Sequence, residues 1–247
     1  MTMPGLVSVT FRNKTPREIC ALCGRAGLRA VEWGGDVHVP PGGGNAREVR
    51  DMSRDAGLEI CSYGSYFRVG DEAAEFERNL DAASELGAPA VRVWLGRTGS
   101  DETSDGERGR LMDALAAACE AAGKRGLIVA PEFHGGTLTD GLSSVRRLTA
   151  ETRGIENLRF YWQPRWDWPE ADRLRALEMV LPRLLHVHAF TWRHGDGVER
   201  LPLADGEAMW RKALAQLKDA RVLLEFVQGD CEEAFLRDAR TLIRWIK

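Results

Sequence analysis

Eight short apolar runs, each followed by a stretch of helical periodicity, divide this chain of 247 residues from end to end. The strand-like runs fall at 6–12, 30–34, 59–66, 90–96, 127–134, 158–163, 184–192 and 222–227. The helical patterns fall at 15–26, 45–56, 71–86, 105–124, 140–152, 170–180, 205–219 and 231–246. Strands that alternate with helices predict a parallel sheet, because parallel neighbours need a crossover long enough to hold a helix. Eight such units in a chain of this length predict an α/β fold, a (β/α)8 TIM barrel spanning 1–247 as one domain. An open doubly wound sheet is the alternative. It carries a Gly-rich turn after its first strand, where this chain has Thr10-Phe11-Arg12-Asn13-Lys14.

Punctuation supports the same division. Thr15-Pro16 and Trp168-Pro169 have the cap-then-proline form of helix starts, and Asp71, Asp140 and Asp205 are candidate caps. Gly27, Gly57, Gly87 and Gly126 each stand between a helical pattern and the next strand, where a helix C-terminus favours glycine.

The net charge of −3 and the lack of a basic run argue against a nucleic-acid surface. No apolar stretch is long enough to cross a membrane as a helix, and the first residues lack the basic region and apolar core of a signal peptide. With five cysteines, an odd number lying singly in apolar surroundings, the expected location is the cytoplasm. Cys20 and Cys23 form a CxxC inside a helical pattern with no second pair, which reads as core packing.

A strand buried on both faces is nearly all apolar, because a carboxylate there is costly unless paired. Glu132 ends the run Leu127-Ile-Val-Ala-Pro-Glu132, and Glu225 lies in Val222-Leu-Leu-Glu225. Gln163 and His188 stand at matching depth on the two runs between them. Period-two alternation points Glu132, His134, Gln163, His188 and Glu225 toward the barrel axis, together with Glu32, Arg92, Trp94, Arg159, Tyr161 and the deeper His186. The C-terminal ends of barrel strands are where active sites form. Oxygen ligands with one imidazole suit Mn²⁺, Mg²⁺ or Co²⁺, with Zn²⁺ the outside choice, so Glu132, Gln163, His188 and Glu225 are the candidate metal ligands. Candidates to meet a substrate are His134, Glu32, Arg92, Trp94, His38, Trp192 and Arg193. Arg97, Arg108 and Arg110 read as a solvated charged loop.

With these residues in place the chain resembles the xylose isomerase-like TIM barrels, specifically the sugar phosphate isomerase/epimerase group, over essentially its whole length. The resemblance implies one divalent metal held by Glu132, Gln163, His188 and Glu225, with the two glutamates doubling as an acid/base pair. Gln163 stands where the family has Asp, so one negative charge is missing and weaker metal binding is expected. The ketose 3-epimerase members carry a His and an Arg where this chain has Trp166 and His194, with Arg193 one residue off.

The chemistry implied is proton transfer next to a carbonyl through an enediolate, with a small carbohydrate as partner. A sugar or sugar phosphate isomerase or epimerase is the leading expectation. A polyol-ketone dehydratase or lyase on the same metal site is the alternative, and a catalytically degenerate sugar-binding barrel is a third reading. Assembly into a homo-oligomer is left open.

Overall fold

The computed structural model describes residues 1–246. The barrel strands are β1 (Met3–Val7), β2 (Ala30–Gly34), β3 (Glu59–Val69), β4 (Ala90–Leu95), β5 (Ile128–Pro131), β6 (Phe160–Trp162), β7 (Leu184–Ala189) and β10 (Arg221–Leu224). β8 (Thr191–His194) and β9 (Val198–Leu201) form a separate antiparallel hairpin. The helices are α1 (Pro16–Ala26), α2 (Ala46–Asp55), α3 (Ala73–Leu86), α4 (Asp105–Gly123), α5 (Leu142–Glu151), α6 (Glu170–Val180), α7 (Glu207–Leu214) and α8 (Glu232–Ile246).

The barrel strands are all parallel, in the order β5-β4-β3-β2-β1-β10-β7-β6. Bridges Val129–Leu158 and Glu132–Tyr161 bring β5 against β6, so the barrel is nearly closed. Its interior holds a small apolar group that includes Val7, Ala30, Cys61, Ala130, Tyr161 and Leu223. The larger core lies between strands and helices, and Cys20 and Cys23 are buried in it on α1. Among the described residues, no helix is long and apolar enough to cross a membrane.

Local chemistry explains the element ends. Thr15 and Glu18 form a reciprocal capping box ahead of Pro16 at the first turn of α1. Gly27 and Gly87 close α1 and α3 in the left-handed conformation, at φ of 73° and 77°. The aspartate caps do not form. Asp71 pairs with Arg97, Asp205 lies in a 3₁₀ turn before α7, and Asp140 accepts the amides of Ser100 and Gly136 instead of capping α5.

Several strands end earlier than their apolar runs suggest, and after two of them, β1 and β7, the chain goes directly into other regular structure. After Val7 the chain turns into a 3₁₀ segment, Ser8–Phe11, where Ser8 Oγ accepts the Gly34 amide at 2.8 Å and meets His38 Nδ1 at 2.9 Å. After Ala189 the run 184–192 leaves the barrel for the hairpin. A hairpin keeps period two, so the alternation carries no mark of the exit.

Candidate active site

Four strand ends carry the central side chains. Glu132 and Glu225 each lie one residue past the last residue of β5 and β10, yet both stay in register. The Glu132 amide donates to Val93 O at 3.0 Å and the Glu225 amide to Ala189 O at 3.1 Å. The chain then turns sharply at Phe226, a non-glycine residue at φ 49°. Such backbone is held only where its surroundings insist on it. Here the Phe226 ring packs against Phe190, Trp192 and the Arg200 guanidinium.

One ligand atom from each of Glu132, His188 and Glu225 lies within 4.8 Å of the others. His188 Nδ1 faces both acids, at 3.1 Å from Glu132 Oε1 and 3.4 Å from Glu225 Oε2. Its Nε2 faces a third carboxylate, 3.5 Å from Glu32 Oε2. Arg92 spans the group, donating from Nε to Glu32 Oε1 at 2.9 Å and from Nη1 to Glu132 Oε2. Trp94 Nε1 also donates to Glu132 Oε2, at 2.6 Å. All of these side chains but Trp94 are buried.

The acids are unequal. Burial opposes ionisation of Glu132, yet Arg92 and then His188 hold its carboxyl well below the usual range. Glu32 behaves in the same way for the same reasons. Burial raises Glu225, and His188 does not fully offset it. Burial also works against a charged His188, but Glu225 and Glu32 raise it well above the ordinary imidazole value.

The residues fit a divalent cation. Three buried carboxylates against one guanidinium and a charged His188 leave one negative charge, and two once His188 is neutral, as a metal ligand must be. Either excess is costly without a counter-charge. Gln163 Oε1, His188 Nε2 and Glu225 Oε2 are buried with no hydrogen-bond partner among the described residues. The Gln163 amide nitrogen is committed to Phe133 O at 2.6 Å, which leaves its carbonyl oxygen as the available atom.

Above this group opens a cavity of about 360 Å³, walled by Trp94, Glu132, His134, Gln163, Trp192 and Glu225 among others, a volume suited to a small molecule. His134 stacks on Trp94 with ring centroids 4.6 Å apart. Arg92 reaches the cavity, whereas Glu32 and His188 do not line it.

Three predicted substrate contacts do not line the cavity, and the first, Glu32, is fully buried against Arg92 and His188. His38 is buried against Ser8 and Lys14 O, because the loop after β2 folds back onto the segment that follows β1. Arg193 points away on the hairpin and pairs with Glu199 across it. Arg159, expected inside, turns to the carbonyls of Glu156 and Leu158. Arg108, expected in a solvated loop, is buried on Ser144 and Glu151. Sequence reasoning missed Ser62, which donates to Glu32 Oε2 at 2.8 Å. It also missed Gly64, where a Cβ would sit 2.7 Å from Glu32 Oε1, as well as Tyr66 and Arg165 on the cavity wall. Gly64 inside a strand run was a readable sign of close approach; the others carry no such sign.

A 3-dehydroshikimate dehydratase of Bacillus anthracis is 27% identical over 197 residues, 74% of this chain and 69% of that protein. The crystal structure of a probable 3-DHS dehydratase involved in petrobactin synthesis, from Bacillus anthracis, superposes with a TM-score of 0.82 at 18% identity, covering 98% of this chain and 99% of that one. The 3-keto-D-glucoside 4-epimerase of E. coli, in its apo form, gives a TM-score of 0.74 at 20% identity, covering 99% of each chain. The model of the xylose isomerase-like TIM barrel family matches residues 20–247, and the chain belongs to that family.

Proposed function

We propose that this chain is a divalent-metal-dependent dehydratase acting on a polyhydroxylated cyclic ketone that bears a carboxylate, as 3-dehydroshikimate does. The observation that carries the reading is the inequality of the two acids. Glu132 Oε2 is occupied by Arg92 and Trp94, whereas Glu225 has neither partner and keeps a free Oε2. Epimerisation calls for acid/base groups on both faces of a carbon, and a single free carboxylate suits elimination on one face. The names of the sequence relative and of the first structure above point the same way.

Glu132, His188 Nδ1, Glu225 and the Gln163 carbonyl oxygen would hold the metal, which supplies Lewis-acid polarisation of the ketone. Glu225 takes the proton from the carbon beside the ketone. The same carboxyl hands that proton to the hydroxyl on the next carbon. The C–O bond breaks, water leaves, and a double bond remains. Arg92 and Trp94 keep Glu132 ionised and fixed throughout. His134 and Trp94 form one wall against the ring, and Arg165 at the rim, steadied by Asp167 at 3.0 Å, offers a guanidinium edge to the substrate carboxylate.

An epimerase or isomerase of a keto sugar is the second reading, favoured by the presence of both Glu132 and Glu225 on the cavity wall. Incubation with 3-dehydroshikimate and Mn²⁺ distinguishes the two. The proposal expects water loss and the ultraviolet absorbance of an aromatic product. Failure on this and related cyclic keto acids, with solvent deuterium entering a keto sugar that keeps all its oxygens, would install the epimerase instead.

A further inference from the structure

We propose that Glu32 is a positioning residue for the metal centre, its buried carboxylate fixing the orientation of His188 and, through Arg92, that of Glu132. This rests on the metal reading above. Glu32 is 0% exposed and does not line the cavity, so it cannot meet a substrate. It sits where it reaches two of the candidate ligands at once.

The imidazole of His188 can bind a cation through Nδ1 only if its proton stays on Nε2. Nδ1 faces Glu132 and Glu225, and Nε2 faces Glu32 Oε2 at 3.5 Å. That separation is an electrostatic contact longer than a formed hydrogen bond. Nε2 has no hydrogen-bond partner among the described residues, so Glu32 is the carboxylate placed to receive its proton. The other end of Glu32 accepts Arg92 Nε at 2.9 Å. Arg92 in turn holds Glu132 Oε2, which turns Glu132 Oε1 toward His188 Nδ1.

Glu32 is itself held. Ser62 Oγ donates to its Oε2 at 2.8 Å, and Tyr161 OH donates to Ser62. Gly64 leaves room for the pair, since a Cβ there would lie 2.7 Å from Glu32 Oε1 and 3.0 Å from Arg92 Nη2. Four strands, β2, β3, β4 and β6, thus contribute to the support of one imidazole and one carboxylate.

A purely structural Glu32, present only to balance Arg92, would affect melting temperature and nothing else. The test is Mn²⁺ titration of wild type, Glu32→Gln and Glu32→Asp, beside circular dichroism of each metal-free protein and nitrogen-15 spectra of the Mg²⁺-loaded imidazoles. Glu32→Asp keeps the charge opposite Arg92 while withdrawing the carboxylate from His188, so it serves if Glu32→Gln does not fold. Mn²⁺ affinity is expected to fall about 10- to 100-fold in folded variants, with loss of the protected Nε2 proton signal of His188. Wild-type binding with unchanged affinity and an unchanged Nε2 signal in the folded variants would overturn the role of Glu32 alone. Absence of Mn²⁺ binding in wild type would overturn the metal reading together with it.

Discussion

His186 and His188 stand two residues apart on β7; both are buried, and both pack edge-on against Tyr161. Their surroundings differ completely. His186 Nε2 donates to Cys61 O at 3.2 Å and its Nδ1 accepts the Arg221 amide at 3.3 Å, so a neutral ring is fully satisfied. Burial pushes it down to about 4. His188, one step nearer the C-terminal mouth, meets three carboxylates and is raised. Burial, strand and residue type are shared, so none of them makes the site. What distinguishes the two is that backbone groups end the hydrogen bonding of one ring, while acids from β2, β5 and β10 leave the other with a charge to be matched.

The largest effect expected at the mouth comes from Glu225→Gln, which removes the free carboxylate and should lower kcat by about 10² to 10⁴-fold in a folded protein. Steady-state kinetics on the dehydration reaction check it, and a loss under tenfold would make Glu225 a bystander. Metal stabilisation comes next. Mn²⁺ at about a hundred times its dissociation constant should stabilise wild type by about 2.7 kcal/mol, an effect that a chelator reverses and His188→Ala abolishes. At the deeper histidine the expectation inverts. His186→Leu strands the Cys61 carbonyl and the Arg221 amide, costing about 1–3 kcal/mol by urea unfolding, while kcat/KM stays near the wild-type value. A large kinetic loss in His186→Leu would erase the contrast between the two rings.

The smallest effect tests the satisfied class again. His38 is buried and, chiefly through burial, held below its ordinary value. The unfolded chain therefore takes up a proton below about pH 6.5 that the folded chain resists. The stability His38 contributes is full above that pH and falls as pH drops below it. Urea midpoints at neutral and mildly acid pH should fall less in His38→Gln than in wild type.

The barrel was legible because eight repeats of period two then period 3.6 leave few alternatives, and Glu132, Gln163, His188 and Glu225 stood out as polar residues in runs that should have none. The placing of His38 and Arg193 was not legible. Both lie beyond strand ends, where alternation no longer constrains direction, and their partners Ser8 and Glu199 depend on how a loop or hairpin folds back. Glu32 and Arg92 were readable as inward, and an ion pair between an inward Glu and Arg92 or Arg159 was a readable option. Which acids Arg92 meets depends on the barrel's stagger and on the space left at Gly64. The unequal status of Glu132 and Glu225 was invisible for a similar reason. It comes from Trp94 and Arg92 converging on one oxygen, a relation that spans adjacent strands.

Anomalous diffraction from a crystal soaked with Mn²⁺ tests the central claim most directly. One ion is predicted within about 2.0–2.6 Å of oxygens of Glu132, Gln163 and Glu225 and bound by His188 Nδ1, with His188 Nε2 turned to Glu32. A site without an ion at saturating Mn²⁺, with Arg92 and a charged His188 alone balancing the three carboxylates, would contradict it.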